Sequence, residues 1–103
     1  MLPQSVFTLI FTQAARAELI EAQDWYEGEA QGLGRRFRER IDTLPERMSA
    51  NPRQFPVVFK SVRRALLRRF PYALFFVIDE QTLYFVIACF HASRNPLQWQ
   101  RRA

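Results

Sequence analysis

The spacing of apolar residues along the chain changes once, and this change limits the folds that the sequence can form. In the first half, apolar residues recur at intervals of four, three and four positions, the repeat of one helix face: Ala15, Leu19, Ala22 and Tyr26. A short apolar run at residues 6–11 precedes this pattern and predicts a largely buried strand. Thr12 lies between the two segments and offers an N-cap side chain. The chain is therefore predicted to begin with a strand that leads directly into a helix.

A second helix is predicted to follow across a glycine-rich connection. Three glycines fall between positions 28 and 34, where they supply the backbone freedom that a turn needs. Helical spacing then resumes with Leu33, Phe37, Ile41, Leu44 and Met48. Because the connection is short, the two helices should pack antiparallel as a hairpin. Pro45 lacks a backbone donor, so we expect a kink or an early stop there.

From residue 55 onward the pattern is typical of strands. Apolar and β-branched runs at 57–59, around 66–67, at 74–78 and at 83–89 are strand candidates. A polar break at 79–82 predicts that the last two form an antiparallel hairpin. We therefore predict an α+β fold with an N-terminal strand, an antiparallel helical hairpin and a three-stranded antiparallel meander, the helices packing on one face of the sheet. We expect one domain spanning residues 1–103.

Charge is distributed unevenly along the chain. The formal net charge of +5 favours an anionic partner, such as nucleic acid or an acidic protein. Residues 1–32 carry five acidic side chains against Arg16, whereas residues 47–78 carry seven cations and no acid. Glu18 and Glu21 are three positions apart, which indicates a solvated helix face more simply than a pair of catalytic carboxylates.

Several classes of protein are disfavoured by what the sequence contains. Cys89 is the lone cysteine and has apolar neighbours, which indicates a packing role in a reducing compartment and not a catalytic thiol. We find no basic leader before a long apolar segment, and no apolar run that approaches the length of a membrane span. We therefore expect a cytoplasmic protein with no membrane association, no metal site and no cofactor.

Two sets of motifs resemble the RelE/ParE superfamily of toxins. Residues 70–72, a strand pair, residues 91–96 and then Trp99 resemble the closing half of these toxins. The front half resembles the helical hairpin of plasmid-stabilisation toxins at residues 15–26, at 32–34, at Phe37 and at 51–52. The resemblance runs from residue 6 to about residue 99. It implies the growth-arresting toxin of a type II toxin–antitoxin pair, which a cognate antitoxin neutralises and with which it forms an oligomeric assembly.

The resemblance leaves more than one activity open. ParE-like members inhibit DNA gyrase, whereas RelE-like members are metal-independent endoribonucleases that cleave messenger RNA in the ribosome. This chain has one lysine, Lys60, and carries Trp99 in the C-terminal segment, where tryptophan cannot supply a useful proton donor. RelE-like nucleases resemble one another in a lysine-rich approach to the site and an aromatic or acid–base residue in the C-terminal segment. These departures from their pattern favour gyrase inhibition. Ribosome-dependent RNA cleavage is the alternative, and an inactive or regulatory nucleic-acid-binding member is a second one.

Candidate catalytic residues exist for the nuclease alternative only. RNA cleavage needs cations for the phosphate and groups that transfer protons, and the candidates are Arg63, Arg68, Arg94, His91 and Tyr72. His91 is the single histidine, and its unperturbed pKa lies near neutral pH. A structural role is favoured for it, in which the imidazole bonds the backbone at the strand end and fixes the following turn.

Candidate binding residues are defined by charge and by exposed aromatic rings. Guanidinium groups match phosphate oxygens and also the carboxylates of an acidic antitoxin segment. Simple solvation of one sheet edge is the third interpretation of the arginine cluster. Trp25 lies to the side of the core stripe, where an exposed tryptophan often marks a partner surface, and partial burial against the following loop is an equal alternative. The candidate residues for binding the target or the antitoxin are Arg63, Arg64, Arg68, Arg69, Arg94, Trp99 and Trp25.

Overall fold

The computed structural model describes residues 8–51, 54–79, 83–93 and 95–103. The elements in chain order are β1 (Thr8–Phe11), α1 (Gln13–Glu29), α2 (Leu33–Asp42), α3 (Leu44–Ala50), β2 (Val57–Phe59), β3 (Val62–Leu66), β4 (Tyr72–Asp79), β5 (Leu83–His91) and α4 (Leu97–Gln100). The strands form one sheet in the order β1-β5-β4-β3-β2. β1 runs parallel to β5, and the other neighbours are antiparallel. The predicted α+β class is confirmed, but the meander has four strands where three were expected, because β2 and β3 pair as separate strands.

Helix α1 follows the predicted pattern closely. The Thr12 hydroxyl accepts a hydrogen bond from the backbone N–H of Ala15 at 3.2 Å, which satisfies one of the free donors of the first turn. The buried residues of the helix are Ala15, Leu19, Ala22 and Tyr26, as the spacing predicts. This face packs on β5, the strand with which β1 pairs.

The turn between α1 and α2 is stabilised by the carboxylate of Glu27. This side chain accepts hydrogen bonds from the backbone N–H groups of Gly32 and Gly34, at 2.9 and 3.0 Å. It therefore caps the N-terminus of α2 and also places a negative charge where the helix dipole is positive. Gly32 has a φ of 86°, in the left-handed region that favours glycine. The predicted helical hairpin forms around this turn.

The predicted interruption at Pro45 is a break between two helices. Helix α2 ends at Asp42, and Pro45 lies in the first turn of α3, where a missing N–H breaks no intrahelical bond. Leu44 and Met48 of α3 are fully buried in the same cluster as Phe37 and Ile41 of α2. The apolar stripe therefore continues across the break.

The sheet has a buried cluster on each face, and a β-bulge in β5 sets which residues face which side. Phe75 pairs with Ala88 and Phe76 with Val86, so Ile87 is the extra residue. The helix-side cluster includes Leu74, Phe76, Val86 and Cys89, and the opposite cluster includes Phe75, Ile87, Phe90 and Trp99. The expectation that the helices pack on one face holds for α1 to α3, whereas α4 places Trp99 on the other face.

Two glycines of the hairpin should respond in opposite ways to replacement by alanine. A methyl group at Gly34 would lie 2.7 Å from the carbonyl oxygen of Gln23, so Gly34→Ala should lower the free energy of unfolding by ~1–3 kcal/mol. Gly28 lies within α1 and has no other atom within 4 Å of that position, so Gly28→Ala should raise it by ~0.5–1 kcal/mol. Urea unfolding followed by circular dichroism measures both. Equal midpoints for the two variants would contradict this account of the hairpin.

Candidate functional site

The two arginines of β3 have different surroundings. Arg63 pairs with Phe76, and its side chain donates to the carbonyl oxygen of Phe55 at 2.7 Å, so it ties β3 to the loop before β2. Arg64 is partly buried, and its Nε atom is fully buried without a hydrogen-bond partner among the described residues. A buried N–H without an acceptor costs free energy. The guanidinium of Arg64 is not bonded to the described backbone, whereas that of Arg63 is bonded to Phe55.

Arg47 is the first of the seven cations at residues 47–78 but is not among the predicted binding residues, and the structure places it beside Arg64. Its side chain donates to the carbonyl oxygen of Leu66 at 3.2 Å and lies 5.5 Å from the ring centre of Phe55. Burial lowers the pKa of Arg47, and the positive charge of Arg68 lowers it further. Arg47 and Arg64 line the same depression of about 220 Å³. In the part of the chain that the structure describes, none of these three arginines forms an ion pair with a carboxylate.

Arg69 lies in a second cationic region, at the turn before β4. Its φ of 71° places a non-glycine residue in the left-handed region, a strained conformation of the kind found at functional sites. Arg69 lines a cavity of about 620 Å³ together with Arg36 and Arg40, which are four positions apart on one face of α2. The remaining lining residues are Tyr26, Leu33, Glu39, Phe70 and Pro71. The sequence pattern did not single out Arg36 and Arg40, because a polar helix face is usually solvated.

An aromatic cavity of about 580 Å³ adjoins this cationic one. It is lined by Trp25, Tyr26, Pro71, Tyr72 and His91. Tyr26 and Pro71 also line the cationic cavity, so the two are halves of one groove between the helical hairpin and the start of β4. We call it the aromatic–arginine groove. Trp25 is 57% exposed and presents its ring at the surface of the groove.

His91 is held in one tautomer by the turn that follows β5. Its Nδ1 atom accepts a hydrogen bond from the backbone N–H of Ser93 at 3.1 Å, and the Ser93 hydroxyl lies 2.8 Å away. Because a backbone N–H can only donate, Nδ1 is the acceptor, and the proton of the neutral ring is on Nε2. The structural role that the sequence favours for His91 is therefore present in the structure.

The candidate nuclease residues do not form one cluster. Tyr72 and His91 are cross-strand partners with ring centres 5.4 Å apart. Arg63 pairs four positions further along β4, about 13 Å from Tyr72 along the strand, and its guanidinium is bonded to Phe55. Arg94 lies outside the described residues. In the part of the chain that the structure describes, Arg63 therefore does not lie beside Tyr72 and His91.

The two tryptophans have opposite environments. Trp99 is only 4% exposed, and its ring stacks on Phe75 with centres 4.2 Å apart. It is therefore a core residue of the sheet face opposite the hairpin, and its assignment to a binding surface is corrected. Trp25 is more than half exposed, so the structure selects the exposed alternative over partial burial against the following loop.

The C-terminal segment is fixed by an ion pair that the sequence did not predict. The Glu18 carboxylate accepts two hydrogen bonds from the Arg102 guanidinium, at 3.0 and 2.8 Å. It also accepts the backbone N–H of Cys89 at 3.0 Å, and Arg102 donates to the Ile87 carbonyl at 2.9 Å. Glu18 is therefore a structural residue, and its assignment to a solvated face is corrected.

The described residues contain neither a cluster of three metal-ligating side chains nor a helix long and apolar enough to cross a membrane. The lone thiol is also unsuited to chemistry. Burial raises the pKa of Cys89 to about 12, and the negative charge of Glu18 contributes to the increase.

Comparisons with known proteins identify related sequences and folds. Residues 9–96 match the family described as "ParE toxin of type II toxin-antitoxin system, parDE". Eight chains of solved structures match. One of them, from "Chromosomal ParDE TA system from P. aeruginosa", aligns with a TM-score of 0.67 and 18% identity over 86% of this chain and 99% of its own length. No curated protein gave a match.

Cys89 should be inert in the folded protein and should make stability sensitive to alkaline pH. Below pH ~8.5 the thiol is protonated in the folded and in the unfolded chain. Above that pH the thiol ionises in the unfolded chain only, and this ionisation stabilises the unfolded state. The free energy of unfolding should therefore fall between pH ~8.5 and about 12, the pKa in the folded state. Cys89→Ala should lack this part of the decline, as measured by urea unfolding across that range. Labelling of the native thiol by iodoacetamide at pH 8 as fast as in denaturant would contradict the prediction.

Proposed function

Because the chain belongs to the ParE toxin family of type II toxin–antitoxin systems, we propose that it arrests bacterial growth by inhibiting DNA gyrase. The observation that carries this proposal is the cationic surface formed by Arg47 and Arg64, which line one depression, and by Arg68, whose charge acts on Arg47; none of the three forms an ion pair with a carboxylate among the described residues. Such a surface fits the anionic environment of an enzyme that handles DNA. The toxin acts in the cytoplasm as a single domain.

The partner that neutralises the toxin is a cognate antitoxin. Uncompensated guanidinium groups bind carboxylates as well as phosphates, so an acidic antitoxin segment would compete with the target for these arginines. Antitoxin binding would then mask the cationic cluster directly, in an oligomeric toxin–antitoxin assembly. Co-expression of the protein encoded by the adjacent reading frame should restore growth to cells that express the toxin.

RNA cleavage is not supported as a second function. Tyr72 and His91 adjoin each other, but the Arg63 side chain is bonded to the Phe55 carbonyl and pairs four positions further along β4. General acid–base cleavage requires the cation and the proton-transfer group at one phosphate. The arrangement of the described residues therefore favours binding over catalysis.

Gyrase inhibition is tested with the purified chain and with expressing cells. The chain should reduce DNA supercoiling by gyrase and stabilise cleavage complexes, and primer extension on cellular messages should show no codon-positioned cuts. Arg64→Glu combined with Arg68→Glu should weaken inhibition about tenfold or more, equivalent to ~1.4 kcal/mol of binding free energy. Arg35→Glu is the matched control, since Arg35 is an exposed arginine of α2. Unchanged supercoiling, or codon-positioned cuts, would refute the proposal.

A further inference from the structure

The aromatic–arginine groove places aromatic and cationic side chains next to each other. One half offers the rings of Trp25, Tyr72 and His91, and the other offers the guanidinium groups of Arg36, Arg40 and Arg69. Among the described residues, Glu39 is the one carboxylate that lines either half. The groove therefore suits a ligand that carries flat apolar groups and several negative charges.

The aromatic half has the features of a site for a nucleobase. Trp25 is 57% exposed, so a planar base can stack on its indole without displacing a core residue. The tautomer fixed by Ser93 leaves Nε2–H of His91 as a hydrogen-bond donor for a base carbonyl or ring nitrogen. The ring of Tyr72 stands edge-on to His91, with centres 5.4 Å apart, and continues the aromatic wall.

The cations that line the groove itself are Arg36, Arg40 and Arg69. Arg68 is next to Arg69 in the chain, and Arg47 and Arg64 line a separate depression. A single strand carries a flat base and a phosphate at every nucleotide, so it can occupy the aromatic half and the arginine half of the groove at once.

We propose that the aromatic–arginine groove binds single-stranded nucleic acid, with a base in the aromatic half and phosphodiester groups along the arginines. A single strand is required because the bases of a duplex are stacked on each other and cannot reach Trp25. This inference goes beyond the proposed function, since gyrase inhibition does not by itself require the toxin to hold a strand.

Fluorescence of the full chain tests the proposal directly. The probe is an eight-nucleotide oligo(dT), added at low salt, and its stacking should quench the exposed Trp25 while the buried Trp99 keeps its emission. Trp25→Phe should remove the quenching signal. The association constant is measured by anisotropy of the labelled oligonucleotide. Its logarithm should fall by ~0.7 per phosphate contact for each tenfold increase in salt concentration.

Variants separate the two halves of the groove. Trp25→Ala should weaken oligo(dT) binding about tenfold through lost stacking. An abasic octamer with the same phosphates should bind about equally to this variant and to the parent chain. Arg36→Glu with Arg40→Glu should weaken both ligands about tenfold or more. Arg35→Glu, on the same helix but outside the groove, should have a much smaller effect. Circular dichroism confirms that each variant is folded.

Three results would overturn the proposal. The first is equal affinity for the abasic octamer and for oligo(dT), because stacking would then contribute nothing. The second is duplex DNA of the same length binding as tightly as the single strand. The third is quenching of Trp25 by polyglutamate but not by oligo(dT), which would assign the groove to an acidic peptide. The supercoiling assay on the same variants reports on gyrase inhibition separately, so failure of one proposal is distinguishable from failure of the other.

Discussion

Burial of the Tyr26 ring joins the helical hairpin to the sheet, and the shape of the surface depends on it. The centre of this ring lies 5.2 Å from the ring centre of Phe37 in α2, 4.9 Å from that of Phe70 before β4 and 5.9 Å from that of Tyr72 in β4. Aromatic pairs at such separations stabilise the packing beyond their area burial. Because Tyr26 is also a wall of both cavities, the groove is built on a residue of the core and not on loops alone.

Side chains complete the hydrogen bonding of the sheet where neighbouring strands end. β1 pairs with β5 only as far as Val86, and beyond that point Glu18 and Arg102 bond the backbone of Cys89 and Ile87. At the other side of the sheet, Arg47 bonds the carbonyl of Leu66 past the end of β2. Unpaired strand edges are costly when buried and promote aggregation when exposed. The need of these strand edges for hydrogen-bond partners therefore fixes the C-terminal segment through Arg102 and places Arg47 beside Arg64.

The sequence predicts those features that depend on local spacing, and misses those that depend on distant contacts. The buried face of α1, the Thr12 cap and the strand hairpin follow from periodicity, so they could be read without the structure. Trp99 was assigned to a surface because nothing local shows which sheet face a short terminal helix covers. Arg36 and Arg40 looked like solvated helix residues, and only the position of Arg69, some thirty residues away in the chain, reveals them as part of a groove.

Two carboxylates of the acidic helix α1 are used to hold the fold together. Glu18 is engaged by Arg102 and by a backbone N–H of β5, and Glu27 caps α2 through two backbone N–H groups. Two of the acids of α1 are thus committed to holding the fold and cannot neutralise the arginines of the groove and of β3. Arg36, Arg40 and Arg69 of the groove and the arginines of β3 form no ion pair among the described residues, although Glu39 also lines the groove. Such a surface favours an anionic partner. Under the proposed function, an anionic target and an acidic antitoxin segment would compete for these guanidinium groups.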